Sequence, residues 1–159
     1  MPDNDKIKAK GEAARELFMQ GFNCSQSVAG AFAGEMGLTR EQALKLSAGF
    51  GGGFARMREV CGCFSGMVLV ASALYGNTDP AGKSDFYKEI QELAASYKEQ
   101  NGGGSIVCRE LLGLEKAEGT YKAAPRTEEY YKKRPCPELA RLAAEITEEY
   151  IEQRQAQKG

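Results

Sequence analysis

Five cysteines stand at positions 24, 61, 63, 108 and 136 of this 159-residue chain, which contains no histidine. The usual general base and the commonest nitrogen ligand for metals are therefore missing. Chemistry here falls to Cys, Asp, Glu, Lys, Arg and Tyr, or to a bound cofactor. Cys24, Cys61 and Cys136 each fall at or just before the first turn of an expected helix, and Cys108 within the first turn or so of a short one. A helix start presents unpaired N–H groups and about half a positive charge. Such surroundings lower a thiol pKa from about 8.5 toward neutrality and favour thiolate, which is both nucleophile and metal ligand. Arg56, Arg58, Lys133 and Arg134 stand close by in sequence and would add to the effect. A single cysteine more often just fills core space. Four at helix starts, beside glycine-rich turns, point to a shared site.

The stretch Leu46–Gly66, LSAGFGGGFARMREVCGCFSG, concentrates glycine around Cys61 and Cys63. A chain places glycine so densely where its backbone turns tightly or approaches something closely. Gly51, Gly52, Gly53, Gly62 and Gly66 are the candidate cofactor-binding positions, where backbone N–H groups could approach the sulfurs. Known glycine motifs do not match. No Gly-Lys-Ser/Thr follows, and Phe54 replaces the last glycine of a G-x-G-x-x-G pattern begun at Gly49. Cys61-Gly62-Cys63 is the only close pair of cysteines, so no zinc ribbon is spelled out. Dispersed cysteines can still converge on a metal or an iron–sulfur cluster.

The elements that would position these residues read as helices. Ile7, Ala14, Leu17 and Phe18 mark a first helix over Lys6–Gln20. Asn23 is a good N-cap for a second, Cys24–Met36, whose many small residues imply close packing. Thr39-Arg40-Glu41-Gln42 is a capping box that opens a third, Arg40–Ala48. Cys61–Tyr75 is apolar almost all round, the mark of a central helix. Asp85–Gln100 is clearly amphipathic; a short helix, Ile106–Leu112, carries Cys108 and is expected to be capped by Ser105. Leu114–Arg134 is weakly patterned and reads as a long connection before a last helix, Pro137–Gln155. Period-two alternation is absent and β-branched residues are scarce. The expectation is an all-α single domain, residues 1–159, of about six or seven helices around a central apolar one.

The composition is that of a globular chain, 42% hydrophobic and 27% charged, with a net charge of −1. That balance argues against nucleic acid or an acidic membrane surface as partner. The longest apolar run, Met67–Leu74, is far short of the roughly 18 residues that span a bilayer. A polar N-terminus without a signal-like core points to the cytoplasm, where thiols are kept reduced. The small residues of the second helix are compatible with a homodimer.

These residues together resemble a redox-active protein family named for its C-GCAxxG-C-C cysteine pattern. The resemblance runs from Gly21-Phe22-Asn23-Cys24 to Pro135-Cys136 and includes Gly49-Phe50-Gly51-Gly52-Gly53 and Cys108-Arg109-Glu110-Leu111-Leu112-Gly113. It implies that Cys24, Cys61, Cys108 and Cys136 are the four family cysteines. The central Cys-Gly-Ala-x-x-Gly motif is read as Cys61-Gly62-Cys63-Phe64-Ser65-Gly66. Cys63 stands where that motif has alanine, as an extra ligand, a resolving thiol or, the favoured reading, a near-isosteric core residue. The resemblance implies a redox or metal role. One reading is thiol–disulfide or electron-transfer chemistry, as in a thiol oxidoreductase, with Cys24 and Cys61 as attacking and resolving thiols in no fixed order. The redox partner, a protein or a small thiol or oxidant, stays open. A second reading makes Cys24, Cys61, Cys108 and Cys136, with Cys63 available, the ligands of zinc or an iron–sulfur cluster. A third is a helical interaction protein with incidental cysteines.

Overall fold

Asn23 shows how locally this chain sets its helices. Its side chain accepts the Gln26 backbone N–H, and the Gln26 side chain accepts the Asn23 N–H in return. The same reciprocal cap joins Thr39 to Gln42. Each satisfies two backbone donors that a helix start leaves without partners.

The computed structural model describes residues 2–116 and 119–158. Among them the order is α1 Asn4–Met19, α2 Cys24–Ala31, α3 Arg40–Ser47, α4 Gly51–Phe54, α5 Gly62–Tyr75, α6 Lys83–Gln100, α7 Cys108–Leu111, α8 Glu128–Lys133 and α9 Cys136–Lys158. Short 3-10 turns occupy Ala48–Phe50 and Pro80–Gly82. The all-α expectation therefore holds; the one extended pairing among the described residues is an isolated antiparallel bridge, Val60 to Val107.

Helix α5 is central, as its apolar surface requires. It packs on α2, α6 and α9, while α1 lies along α9. Phe32, Met67, Val70 and Tyr97 are fully enclosed in the core between them. Gly66 lets α5 approach α2: a Cβ there would lie 2.9 Å from the Ser25 carbonyl oxygen and 2.9 Å from Val28 Cβ. The small face of α2, with Ser25, Ser27 and Ala29 buried, is thus used inside the chain.

Several boundaries differ from the sequence expectation, among them those of α2, α7 and α8. Helix α2 stops at Ala31 rather than Met36, since Phe32 leaves helical geometry (φ −115°) and turns carry the chain to Gly37 at φ +72°. Gly30 and Gly34 make continuation costly in that stretch. Helix α7 is shorter than expected and Ser105 does not cap it; the Ser105 hydroxyl accepts the Val107 N–H instead. Within the expected connection 114–134, α8 forms behind an N-cap at Thr127, with Glu128 and Glu129 in its first turn and Lys132 and Lys133 in its last. Those charges suit the helix dipole. Ala117 and Glu118, also in that connection, lie outside the described residues.

Candidate functional site

All four candidate cysteines sit at helix starts. Cys24, Cys108 and Cys136 are the first residues of α2, α7 and α9, and Cys61 is the N-cap of α5. Cys63 lies one residue inside α5 and is fully buried. The bridge between residues 60 and 107 aligns two of these starts. Cys61 N–H donates to the Ile106 carbonyl and Cys108 N–H to the Glu59 carbonyl, each at 2.6 Å. Two segments far apart in sequence thereby bring Cys61 and Cys108 to one end of the molecule.

The glycine stretch supplies the close approach. Gly53, at φ +70°, passes Cys108 so tightly that a Cβ would lie 2.7 Å from Cys108 Cβ. Gly62 would meet Cys24 Cβ at 3.0 Å, and Gly51 the Asn23 side chain at 2.2 Å. Gly52, at φ +69°, lines the site and its N–H donates to the Cys24 sulfur. Of the five candidate glycines, Gly52 reaches the cavity below; Gly51, Gly53, Gly62 and Gly66 allow backbone and helix contact around it. Phe54, Ala55, Arg56 and Arg58 also take left-handed φ values, from 48° to 67°. Such geometry costs a non-glycine residue about 1–2 kcal/mol each. Here it turns Arg56 and Arg58 inward.

Cys24, Cys108 and Cys136 line one cavity of about 100 Å³ together with Arg56, Arg58 and Arg126. Cys24 is half-buried, and Cys61 and Cys63 lie behind it in the core. The thiols are linked. The Cys24 thiol neighbours those of Cys136 and Cys63, and the Cys61 thiol neighbours that of Cys63. On the far side, Cys61 Sγ lies 3.3 Å from the Tyr97 hydroxyl. Arg58 Nη1 reaches Cys108 Sγ at 3.7 Å.

This network sorts the thiols. The neighbouring Cys136 and Cys63 thiols, helped by the Arg126 charge and the Gly52 N–H, outweigh burial and hold Cys24 well below the ordinary thiol range. Cys61 is lowered by the Cys63 thiol, against burial and the negative charge of Cys24. Cys63 is pushed well up, chiefly by the neighbouring Cys24 and Cys61. Cys136 is likewise pushed far up by the neighbouring Cys24 and by burial. Burial also raises Cys108, which the Arg58 bond offsets only in part. Desolvation allows few charges in so small a space. The surroundings thus favour thiolate at Cys24 and Cys61 and thiol at Cys63, Cys108 and Cys136.

Sequence reasoning missed Arg126 and Tyr97. Arg126 comes from the weakly patterned connection. It is fixed by bonds to the Phe18 and Phe22 carbonyls at 2.8 and 2.9 Å and lies 4.0 Å over the Phe18 ring. Tyr97 reads in sequence as one more apolar position of α6. Of the four cations expected near the cysteines, Arg56 and Arg58 line the cavity, whereas Lys133 pairs with Glu129 and Arg134 lies over Tyr130. Cys63 is fully buried in the core. Among the described residues, no three Cys, Asp or Glu side chains are arranged to hold a metal ion. No helix among them is long and apolar enough to cross a membrane.

Neither the curated proteins nor the solved structures contain a match to this chain. A family model described as "Putative redox-active protein (C_GCAxxG_C_C)" does match, over residues 22–150. That span takes in all five cysteines, the glycine stretch and the arginines of the cavity. On that match the chain belongs to the C_GCAxxG_C_C redox-active family.

Proposed function

We propose that this protein carries out two-electron thiol redox chemistry, with Cys24 as the attacking thiolate and Cys136 as the resolving thiol. The observation that carries the reading is the placement of Cys24, the first residue of α2, on the cavity it shares with Cys136 and the Arg126 guanidinium. Cys24 is also the cysteine with the most exposure. Thiolate is the reactive form in disulfide exchange and in attack on oxidants. Cys136 lines the same cavity as Cys24, which supports it as the partner for the second step. Cys61, the other member of the thiol pair expected from sequence, lies in the core with Cys63 and Tyr97 as its neighbours. Cys136 fits that role better.

Two half-reactions follow. Cys24 sulfur attacks an electrophilic sulfur or oxygen and expels a leaving group. Cys136 sulfur then attacks Cys24 sulfur; the bond from Cys24 to the group it acquired breaks, that group leaves with the electron pair and the Cys136 proton, and the Cys24–Cys136 disulfide forms, the pair having given up two electrons in all. An external dithiol returns the pair to the reduced state by exchange.

The test is to oxidise the reduced protein with one equivalent of diamide and map disulfides by peptide mass spectrometry. One dominant bridge, Cys24–Cys136, is expected, and Cys24→Ser removes it while helical circular dichroism is retained. A dominant bridge that omits Cys24 contradicts the reading.

A further inference from the structure

The cavity at Cys24 is small and cationic, lined by Arg56, Arg58 and Arg126. At about 100 Å³ it is smaller than the roughly 150 Å³ cavity that takes one benzene. Its walls include the apolar Phe18, Ala124 and Tyr130 and the exposed Ala123. Attack on a disulfide needs the C–S–S–C unit in line with the thiolate, with both attached chains accommodated. A space of this size holds a handful of heavy atoms, and half-buried Cys24 forms part of its wall. Disulfides of any bulk are therefore held at the rim.

The arginines narrow the choice further. Arg126 spends its Nη groups on the Phe18 and Phe22 carbonyls, Arg56 donates to the Lys122 carbonyl, and Arg58 contacts Cys108. Anchored in this way, the guanidinium groups supply a fixed positive field rather than a fork to clasp a carboxylate. Such a field helps most when a neutral substrate releases an anion during the reaction.

We propose that the oxidising substrate of this site is a small hydroperoxide, hydrogen peroxide being the simplest. The inference deepens the thiol redox reading and rests on it. Cys24 sulfur attacks the nearer peroxide oxygen. An S–O bond forms, the O–O bond breaks, and hydroxide leaves into the field of the arginines. Cys24 becomes a sulfenic acid and the peroxide is reduced by two electrons. Cys136 sulfur then attacks Cys24 sulfur. Its proton goes to the departing hydroxyl as water, and the Cys24–Cys136 disulfide forms.

The experiment compares two oxidants on the reduced full-length protein in rapid-mixing measurements. One is hydrogen peroxide and the other is 5,5′-dithiobis(2-nitrobenzoic acid), a bulky aromatic disulfide. Each rate at Cys24 is divided by that of free cysteine at the same pH. The expected enhancement is at least tenfold for peroxide, with a value below one for the disulfide. In Cys136→Ser, and equally in Cys136→Ala, dimedone is expected to label oxidised Cys24. A disulfide enhancement equal to or above that of peroxide overturns the substrate class and leaves the thiol reading standing. Absence of reaction at Cys24 with both oxidants overturns the two together.

Discussion

Cys63 is where this chain departs from the alanine of the motif it resembles, and the structure gives that sulfur work to do. Its thiol is fully buried beside those of Cys24 and Cys61. A thiol is a weak donor, yet in a dry interior a weak donor still favours the neighbouring anion. Cys63→Ala keeps the core nearly filled and is expected to cost about 1–2 kcal/mol of stability. Its sharper effect is on Cys24, whose pKa rises when one of its two neighbouring thiols is removed. Iodoacetamide labelling of Cys24 at pH 7 should slow severalfold in the variant, with its circular dichroism unchanged. An unchanged labelling rate would reduce Cys63 to a space-filling residue. The position of Cys63 was readable in sequence; its neighbours were not, because they depend on where α2 meets α5.

At the scale of elements, the unusual piece is the turn from Gly52 to Arg58. Sequence marked it by its glycines, since positive φ and close approach are what glycine permits. Four non-glycine residues nevertheless share the left-handed geometry, and no composition rule foretells that. Gly53 has the least freedom of substitution. An added Cβ would lie 2.6 Å from Glu59 N and 2.7 Å from Cys108 Cβ, at a φ of +70°. Gly53→Ala is expected to lose about 3 kcal/mol, from strained backbone plus overpacking. Chemical denaturation would measure the loss. A loss under about 0.5 kcal/mol would show that the turn adapts and does not hold Cys108 rigidly. The helix starts at Asn23 and Thr39 were legible because their caps are local. The bridge between Val60 and Val107 was not, because it joins segments far apart in sequence with a single pair of residues.

Across the whole molecule, four helices of very different length deliver their N-terminal ends to one place. Helices α2 and α5 cross at Gly66, and α9 packs on both α2 and α5. Cys24, Cys61 and Cys136 meet as a consequence of those crossings. Periodicity in the sequence foresaw the helices and the all-α class, since α1, α5, α6 and α9 carry long apolar faces. It left the connection 114–134 blank, and that connection contributes Arg126 and a wall of the cavity. Hydropathy alone gives such a segment no pattern, because Arg126 is held by two carbonyls and the Phe18 ring rather than by an apolar face. The fold thus explains how Cys24, Cys108 and Cys136 come to share one cavity with three arginines.

The most direct measurement is the alkylation rate of each cysteine against pH, read by peptide mass spectrometry on the reduced protein. Cys24 has its folded pKa lowered, so it stays thiolate as pH falls below the ordinary thiol value of about 8.5. Its rate is expected to be nearly flat from pH 9 to pH 7. Cys63, Cys108 and Cys136, with raised pKa values, should remain slow throughout that range. A Cys24 rate that drops roughly tenfold per pH unit below about 8.5, as an ordinary thiol's does, would contradict the account.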